Sequence, residues 1–177
     1  CVERNGTEEQ KRTWLPRFAT GELRGGIGLT EPNAGTDLQA IRTLARRDGD
    51  HYVLDGTKTW ITNGVYGTCF AVLTKTNAGA QPRHAGMSMF IAEKGPGFTV
   101  GRKIRKLGYR SIDSAELVFD GFRVPASQLV GEVEGRGFHH AVGGLALGRI
   151  TVAARGVRVV ADLGPVTDAV HRYLDGD

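Results

Sequence analysis

Between Leu44 and Val124 the sequence is cut into short runs that alternate between apolar and polar residues: "RRDGDHYVLDG", "TKTWITNG", "CFAVLTKT", "MSMFIAEKGPG", "FTVGRKI", "SAELVFDG" and "FRVP". Asp48-Gly49, Asp55-Gly56, Asn63-Gly64 and Gly95-Pro96-Gly97 punctuate these runs as turn signals. A spacing of about 8 to 12 residues between turns is that of a sandwich or barrel. The pattern predicts an all-β, barrel-like domain without internal repeats. Its loosest connection is Asn77 to Gly86, expected to be a flexible loop.

The flanks are helical. In "NGTEEQKRTWLPRF", Thr7 reads as an N-cap, Gln10 closes a capping box three residues later, and Pro16 is expected to help end the helix. Beyond Pro125, Phe138, Val142, Leu145, Ile150, Ala153 and Val157 recur at helical steps. Gly143, Gly144, Gly148 and Gly156 interrupt that stretch. Each glycine weakens a helix by about 0.5–1 kcal/mol relative to alanine, so this helix needs close packing partners. Gly164-Pro165 is expected to break it.

Composition excludes several classes. The two cysteines, Cys1 and Cys69, are too few for a disulfide framework and lack metal-ligand spacing, which makes a reducing cytoplasm the expected compartment. Apolar runs fall short of the roughly 20 residues of a membrane helix, so no membrane insertion is expected. The net charge of +4 gathers in "GRKIRKLGYR", and aromatics are scarce, so a solvated strand face is favoured over nucleic-acid binding. The Gly26/Gly28 and Gly135/Gly137 pairs do not complete a dinucleotide fingerprint. Because the chain starts at Cys1, it is expected to be a piece of a longer protein.

Two segments concentrate chemistry. In "GLTEPNAGTD", Gly28 to Asp37, Pro32 extends Glu31, while Asn33 and Gly35 tolerate positive φ; a concave turn with exposed N–H groups is expected, with Thr30 and Thr36 adding hydroxyls. Such a nest suits an anion or polarised carbonyl, or else is a plain turn between helix and sheet. In "KTWITNG", Lys58 to Gly64, a strand presents Trp60 and Thr62 on one face, an arrangement that fits a planar, hydrogen-bonding ligand. The alternative is a core tryptophan beside a solvent threonine.

Taken in order, "GIGLTEPNAGTD", "YVLDGTKTWITNG", "KLGYRSIDSAELVFDGFRVP" and "GRGF…ALGRITVAARG" resemble the acyl-CoA dehydrogenase family from about residue 6 to 160. The resemblance implies an α+β fold: the end of an N-terminal helical domain (1–24), a middle β-barrel (25–131) and the start of a C-terminal helical bundle (132–177). It implies FAD as cofactor, with Leu29 giving backbone contacts, Thr30 donating to the flavin, and Gly35 allowing close approach. It further implies that Thr36 touches cofactor and acyl-CoA, that Trp60 lies against the isoalloxazine, with Ile61 also cofactor-binding and Thr62 hydrogen-bonding near flavin N5, and that Arg149 positions the substrate region. The implied reaction is α,β-dehydrogenation of an acyl-CoA thioester in fatty acid β-oxidation, with electrons leaving to an electron-transfer flavoprotein from a homotetramer. An acyl-CoA oxidase or flavin monooxygenase on the same fold, or a non-catalytic remnant, are the alternatives.

The pattern departs from the family where the base belongs. Most relatives carry a glutamate far into the C-terminal bundle, past Asp177, and one branch places it just before the helix arginine, where this chain has Gly148. Glu31, Glu93, Glu116, Glu132 and Glu134 read as capping, surface or fold-specific groups, so no catalytic residue is expected within the chain. His139 and His140, adjacent to each other, read as structural or surface residues, and no metal site is expected.

Overall fold

We describe a computed structural model covering residues 1–175, with side chains for all of these except 146–147 and 159–175. Residues 176–177, which the sequence assigns to the C-terminal segment, lie outside the described residues. The chain divides into two compact units, Cys1–Ala141 and Val142–Asp177.

The first unit opens with two helices, α1 (Val2–Asn5) and α2 (Glu8–Ala19). The capping box at the start of α2 forms as expected: Thr7 Oγ1 accepts from the Gln10 N–H, and the Gln10 side chain accepts from the Thr7 N–H. Pro16 does not end α2, which continues to Ala19. A proline removes one N–H and otherwise disturbs the preceding turn, and the final turn closes beyond it through the Thr20 N–H to the Pro16 carbonyl.

Seven strands follow: β1 (Gly25–Gly28), β2 (Leu44–Asp48), β3 (His51–Thr62), β4 (Cys69–Lys75), β5 (Met87–Glu93), β6 (Phe98–Lys103) and β7 (Ser114–Pro125). They form one curled, open sheet in the order β1-β4-β2-β3-β7-β6, with β5 antiparallel along the other edge of β4. The expected barrel is therefore a half-barrel with mixed pairing. β1 is parallel to β4 in the register Gly25↔Cys69 to Gly28↔Val72, and β2 joins the same edge, again parallel, at Leu44↔Lys75. The Gly-rich β1 carries almost no apolar pattern, which is why alternation alone does not reveal it.

The core lies inside the curl, where Tyr52, Leu54, Ile61, Phe70, Phe90, Phe98, Leu117, Phe119 and Phe122 cluster. The Phe98 and Phe119 rings meet at 4.7 Å between centroids, a tilted aromatic pair.

One turn signal does something other than turn the chain. Asp48-Gly49 makes the β2–β3 hairpin, with Asp48 paired to His51. Asp55-Gly56, by contrast, lies within β3, at a register shift against β7 between Leu54↔Phe122 and Gly56↔Phe119. The extra residue falls on β7, where Gly121 takes φ +58° and donates its N–H to Asp55 Oδ1 at 2.8 Å. This β-bulge moves the inward positions of β7 from Ala115, Leu117 and Phe119 to Phe122 and Val124, so all five remain buried. The Asn77–Gly86 connection is also tighter than a free loop. Thr76 and Asn77 donate to the Gly86 carbonyl, and a Cβ at Gly86 would lie 1.9 Å from the Asn77 carbonyl oxygen.

α3 (Gly137–Asp175) starts against the sheet, a Cβ at Gly137 meeting the Ser88 backbone at 2.5 Å, and continues as the second unit. Gly164-Pro165 does not break it. A proline deletes one intrahelical bond, a local loss within a 39-residue helix.

Candidate functional site

The segment Gly28 to Asp37 links β1 to a 3₁₀ turn, Leu38–Ala40, whose start is capped by Asp37 through the Gln39 N–H. The turn forms without the positive φ expected of it, and among the described residues the Asn33, Gly35 and Thr36 N–H groups make no hydrogen bond within the chain. Glu31 and Ala34 exchange both backbone bonds, at 2.8 and 3.1 Å, and neither Asn33 nor Gly35 adopts positive φ. The turn thus closes on itself, because a tight two-bond bridge satisfies the Glu31 and Ala34 donors without a ligand.

What holds the turn to the sheet is a buried ion pair. Lys58 is wholly buried on β3, and its ammonium donates to the Leu29 carbonyl at 3.0 Å and to Glu31 Oε1 at 2.8 Å. Glu31, also buried, accepts in addition from the Arg42 N–H, the Thr43 N–H and the Thr43 hydroxyl. Burial by itself would raise the Glu31 pKa, but the Lys58 charge and these donors outweigh it and hold the carboxyl below its ordinary 4.5. On Lys58 burial dominates and pulls the ammonium down to about 8 against the opposing attraction of Glu31. One residue along β3, the Thr59 N–H donates to the Thr30 carbonyl at 2.8 Å.

This pair was not legible in the sequence. A regular strand would place Lys58, Trp60 and Thr62 on one face, and a lysine there reads as solvated. A second bulge, between Lys58↔Leu117 and Ile61↔Ala115, puts the extra residue on β3, and Trp60 takes φ +60°. Lys58 and Thr59 are then both buried, while Trp60 and Thr62 emerge together on the open face. Trp60 is 58% exposed, so it is not a core tryptophan.

The other segments converge here. Asn63 Nδ2 donates to the Gly25 carbonyl at 2.7 Å, and a Cβ at Gly26 would meet the Thr62 carbonyl oxygen at 2.5 Å, so β1 runs close to the end of β3. Thr30, Trp60 and Thr62 are thereby gathered into one neighbourhood. Gly35 and Thr36 follow on the exposed side of the turn, and a Cβ at Gly35 would meet only Thr30 Cγ2, at 4.0 Å. Leu29 is buried with its carbonyl engaged by Lys58. The Ile61 side chain is 2% exposed in the core, so it is the backbone of this residue that a ligand could meet. Arg149 is exposed on α3 in the second unit.

A flat heterocycle with polar edges fits these residues. The exposed indole offers a plane, and among the described residues the hydroxyls of Thr30, Thr36 and Thr62 make no hydrogen bond within the chain, so they are available to a ligand.

Four of the five carboxylates set aside as bases have partners in the fold. Glu31 is locked as above, Glu93 pairs with Arg17 at 3.1 Å, Glu116 pairs with Arg102 at 3.4 Å, and Glu134 accepts from the Tyr52 hydroxyl. Burial, followed by that hydrogen bond, pushes the Tyr52 pKa up to about 12. Gly148 brings no carboxylate, and a Cβ there would meet nothing within 4 Å. His140 is buried and held below its ordinary pKa by burial, then by Arg136 and His139, whereas His139 is exposed. Among the described residues no cluster of three or more His, Cys, Asp or Glu side chains could hold a metal. No helix among them is long and apolar enough to cross a membrane.

Comparison with known proteins addresses the same region. The acyl-CoA dehydrogenase middle-domain family matches residues 26–122. Isovaleryl-CoA dehydrogenase of Pongo abelii is 41% identical over 151 residues, 85% of this chain and 36% of that protein. The crystal structure of an acyl-CoA dehydrogenase from Geobacillus kaustophilus superposes with a TM-score of 0.82 at 46% identity, covering 86% of this chain and 40% of its own. A glutaryl-CoA dehydrogenase from Mycobacterium smegmatis, solved in complex with FADH2, gives a TM-score of 0.67 at 43% identity over 76% of this chain and 33% of its own. The chain thus spans 33–40% of the length of these relatives. With the middle-domain match covering more than half of its residues, and the curled sheet shared with solved relatives, the chain belongs to the acyl-CoA dehydrogenase family.

Proposed function

We propose that the chain is the flavin-facing part of an FAD-dependent acyl-CoA dehydrogenase, which converts an acyl-CoA thioester to its trans-2-enoyl form. The observation that carries this reading is the exposed Trp60 beside the unpaired Thr62 hydroxyl, on a strand bonded to the backbone of Thr30. The FADH2 held by the Mycobacterium smegmatis relative supports the choice of cofactor. When bound, FAD supplies the two-electron acceptor for the substrate's β-hydrogen.

This chain's residues bind and orient. Trp60 would lie against the flavin, and the Thr62 and Thr30 hydroxyls, which have no partner within the chain, would donate to it. Leu29 and Ile61 contribute through their backbones, since their side chains are buried. Gly35 leaves room for close approach, and Thr36 meets the region shared by cofactor and acyl-CoA. Arg149 positions the substrate region from α3. Removal of the α-proton requires a carboxylate, and none of those in this chain is proposed for it: Glu31, Glu93, Glu116 and Glu134 have partners in the fold, Glu132 is exposed in a 3₁₀ turn, and position 148 is glycine. The isolated chain is therefore expected to bind without catalysing, and a non-catalytic role for this polypeptide is the second reading that the same observation favours.

In the whole enzyme the remaining partners are acyl-CoA, an electron-transfer flavoprotein and further copies of the subunit, in the cytoplasm. The test is a titration of the purified chain with FAD, following tryptophan fluorescence and the flavin spectrum. Saturable quenching that disappears in Trp60→Phe is the expected result. Absence of any flavin spectral change in a folded chain, even at high FAD concentration, would reject a flavin cradle in this segment.

A further inference from the structure

We propose that Lys58 is a positioning residue for Thr30, fixing where the threonine hydroxyl stands relative to Trp60 and Thr62; this role rests on the flavin reading above. The geometry that points to it is a grip on both neighbours of one residue. The Lys58 ammonium donates to the Leu29 carbonyl at 3.0 Å and to Glu31 Oε1 at 2.8 Å, and so bridges the residues on either side of Thr30. The adjacent Thr59 N–H takes the Thr30 carbonyl itself at 2.8 Å. Three consecutive residues of the loop are thus held by two consecutive residues of the strand.

The grip is rigid because nothing in it is wet. Lys58 and Thr43 are completely buried and Glu31 is 6% exposed. A desolvated ammonium cannot exchange its protein partners for water, so its hydrogen bonds strengthen and their directions persist. Glu31 is itself fixed from the far side by the Arg42 N–H at 2.6 Å and by the Thr43 hydroxyl at 2.6 Å, which makes it an anchored acceptor. The Thr30 hydroxyl, in contrast, has no partner among the described residues. Its position is set wholly by its backbone, and that backbone is held by Lys58 and Thr59. A bulge serves this arrangement: the extra residue of β3 lets Lys58 point inward to the loop while Trp60, two residues later, points outward.

The decisive experiment reads the clamp without a cofactor. Amide hydrogen exchange of the 177-residue chain is compared with that of Lys58→Met, using the slowest amides of β7 to normalise for global opening. Exchange of the Thr59 and Ala34 amides is expected to accelerate at least tenfold beyond that normalisation. If both amides merely keep pace with β7, the proposal is overturned. Should Lys58→Met fail to fold, Glu31→Gln removes the anchored charge with little change of shape and is read at the same two amides with the same outcomes.

An FAD titration then separates positioning from general structure. Thr30→Val is expected to weaken affinity about tenfold in the wild-type background and by less than twofold in Lys58→Met, because a hydroxyl already misplaced has little left to lose. Equal losses in both backgrounds would overturn the positioning role. A wild-type chain with no FAD affinity would remove the flavin reading alone, and amide exchange would still decide the clamp.

Discussion

Glu31 carries a negative charge into the protein interior with four donors directed at it, and the nearest of its charged partners, Lys58, is fully buried. Breaking such a pair from one side leaves an uncompensated ion, so Glu31→Gln is expected to destabilise the chain by about 3–5 kcal/mol in chemical denaturation. The pair also sets a pH dependence. Because the Glu31 pKa is lowered on folding from 4.5, the unfolded chain binds more protons just below that value. Its contribution is complete above pH 4.5 and is lost as pH falls through the folded pKa. Lys58 works in a different window: with its pKa lowered from 10.5 to about 8, the unfolded chain again holds more protons between these values, and stability rises with pH across them. Denaturation midpoints measured from pH 3 to 10, on wild type and Glu31→Gln, check both signs, since the acid limb should flatten in the variant. At this scale the hydroxyls and the indole could be read from sequence, because threonine and tryptophan announce their chemistry. The Glu31–Lys58 pair could not, since residues 27 apart meet only through a register that includes a bulge.

The elements are joined by similarly compact devices. Gln10 serves the capping box of α2 and also donates through Nε2 to the Ser127 and Leu129 carbonyls, both at 2.7 Å, while its Oε1 accepts from the Gly131 N–H. Gln10→Ala removes the reciprocal half of the capping box and strands buried carbonyls, and a loss of about 2–3 kcal/mol in urea denaturation is expected. Gly56 lies in β3 at φ +148°, with Thr43 Oγ1 only 2.5 Å from where a Cβ would stand. Gly56→Ala should therefore lower stability by about 1–3 kcal/mol and loosen β3 against the loop that holds Glu31, measurable as a drop in Tm. On α3 the reverse holds: a Cβ at Gly148 meets nothing within 4 Å, so Gly148→Ala is expected to add about 0.5–1 kcal/mol to helix stability, visible as higher helical circular dichroism on heating. Alternating strands and the capping box were legible because periodicity and side-chain identity encode them locally. The strand β1, the bulges, and the continuation of α2 past Pro16 and of α3 past Pro165 were not, because each depends on neighbours that residue patterns do not name.

At the scale of the molecule, the sheet unit ends at Ala141 and owns its own core, so removing residues 142–177 is expected to leave its Tm within a few degrees of the full chain. A collapse of cooperative unfolding in the shortened chain would show instead that α3 is required. The open face bearing Trp60 belongs to the sheet unit. The order of the strands also governs timing. Because β1 and β2 both lie along β4, residues 25–28 can find their partners only once residues 69–72 exist. The loop between them, with Thr30 at its start, is released early by a ribosome but has no template until β4 emerges. Pairing across such sequence separation is slow compared with hairpin closure, so the hairpin of β2 and β3 forms first. That hairpin leaves Trp60 without a template until β7 emerges, because the bulge that turns it outward is made against Leu117 and Ala115, so the face bearing Trp60 is completed only by the last strand.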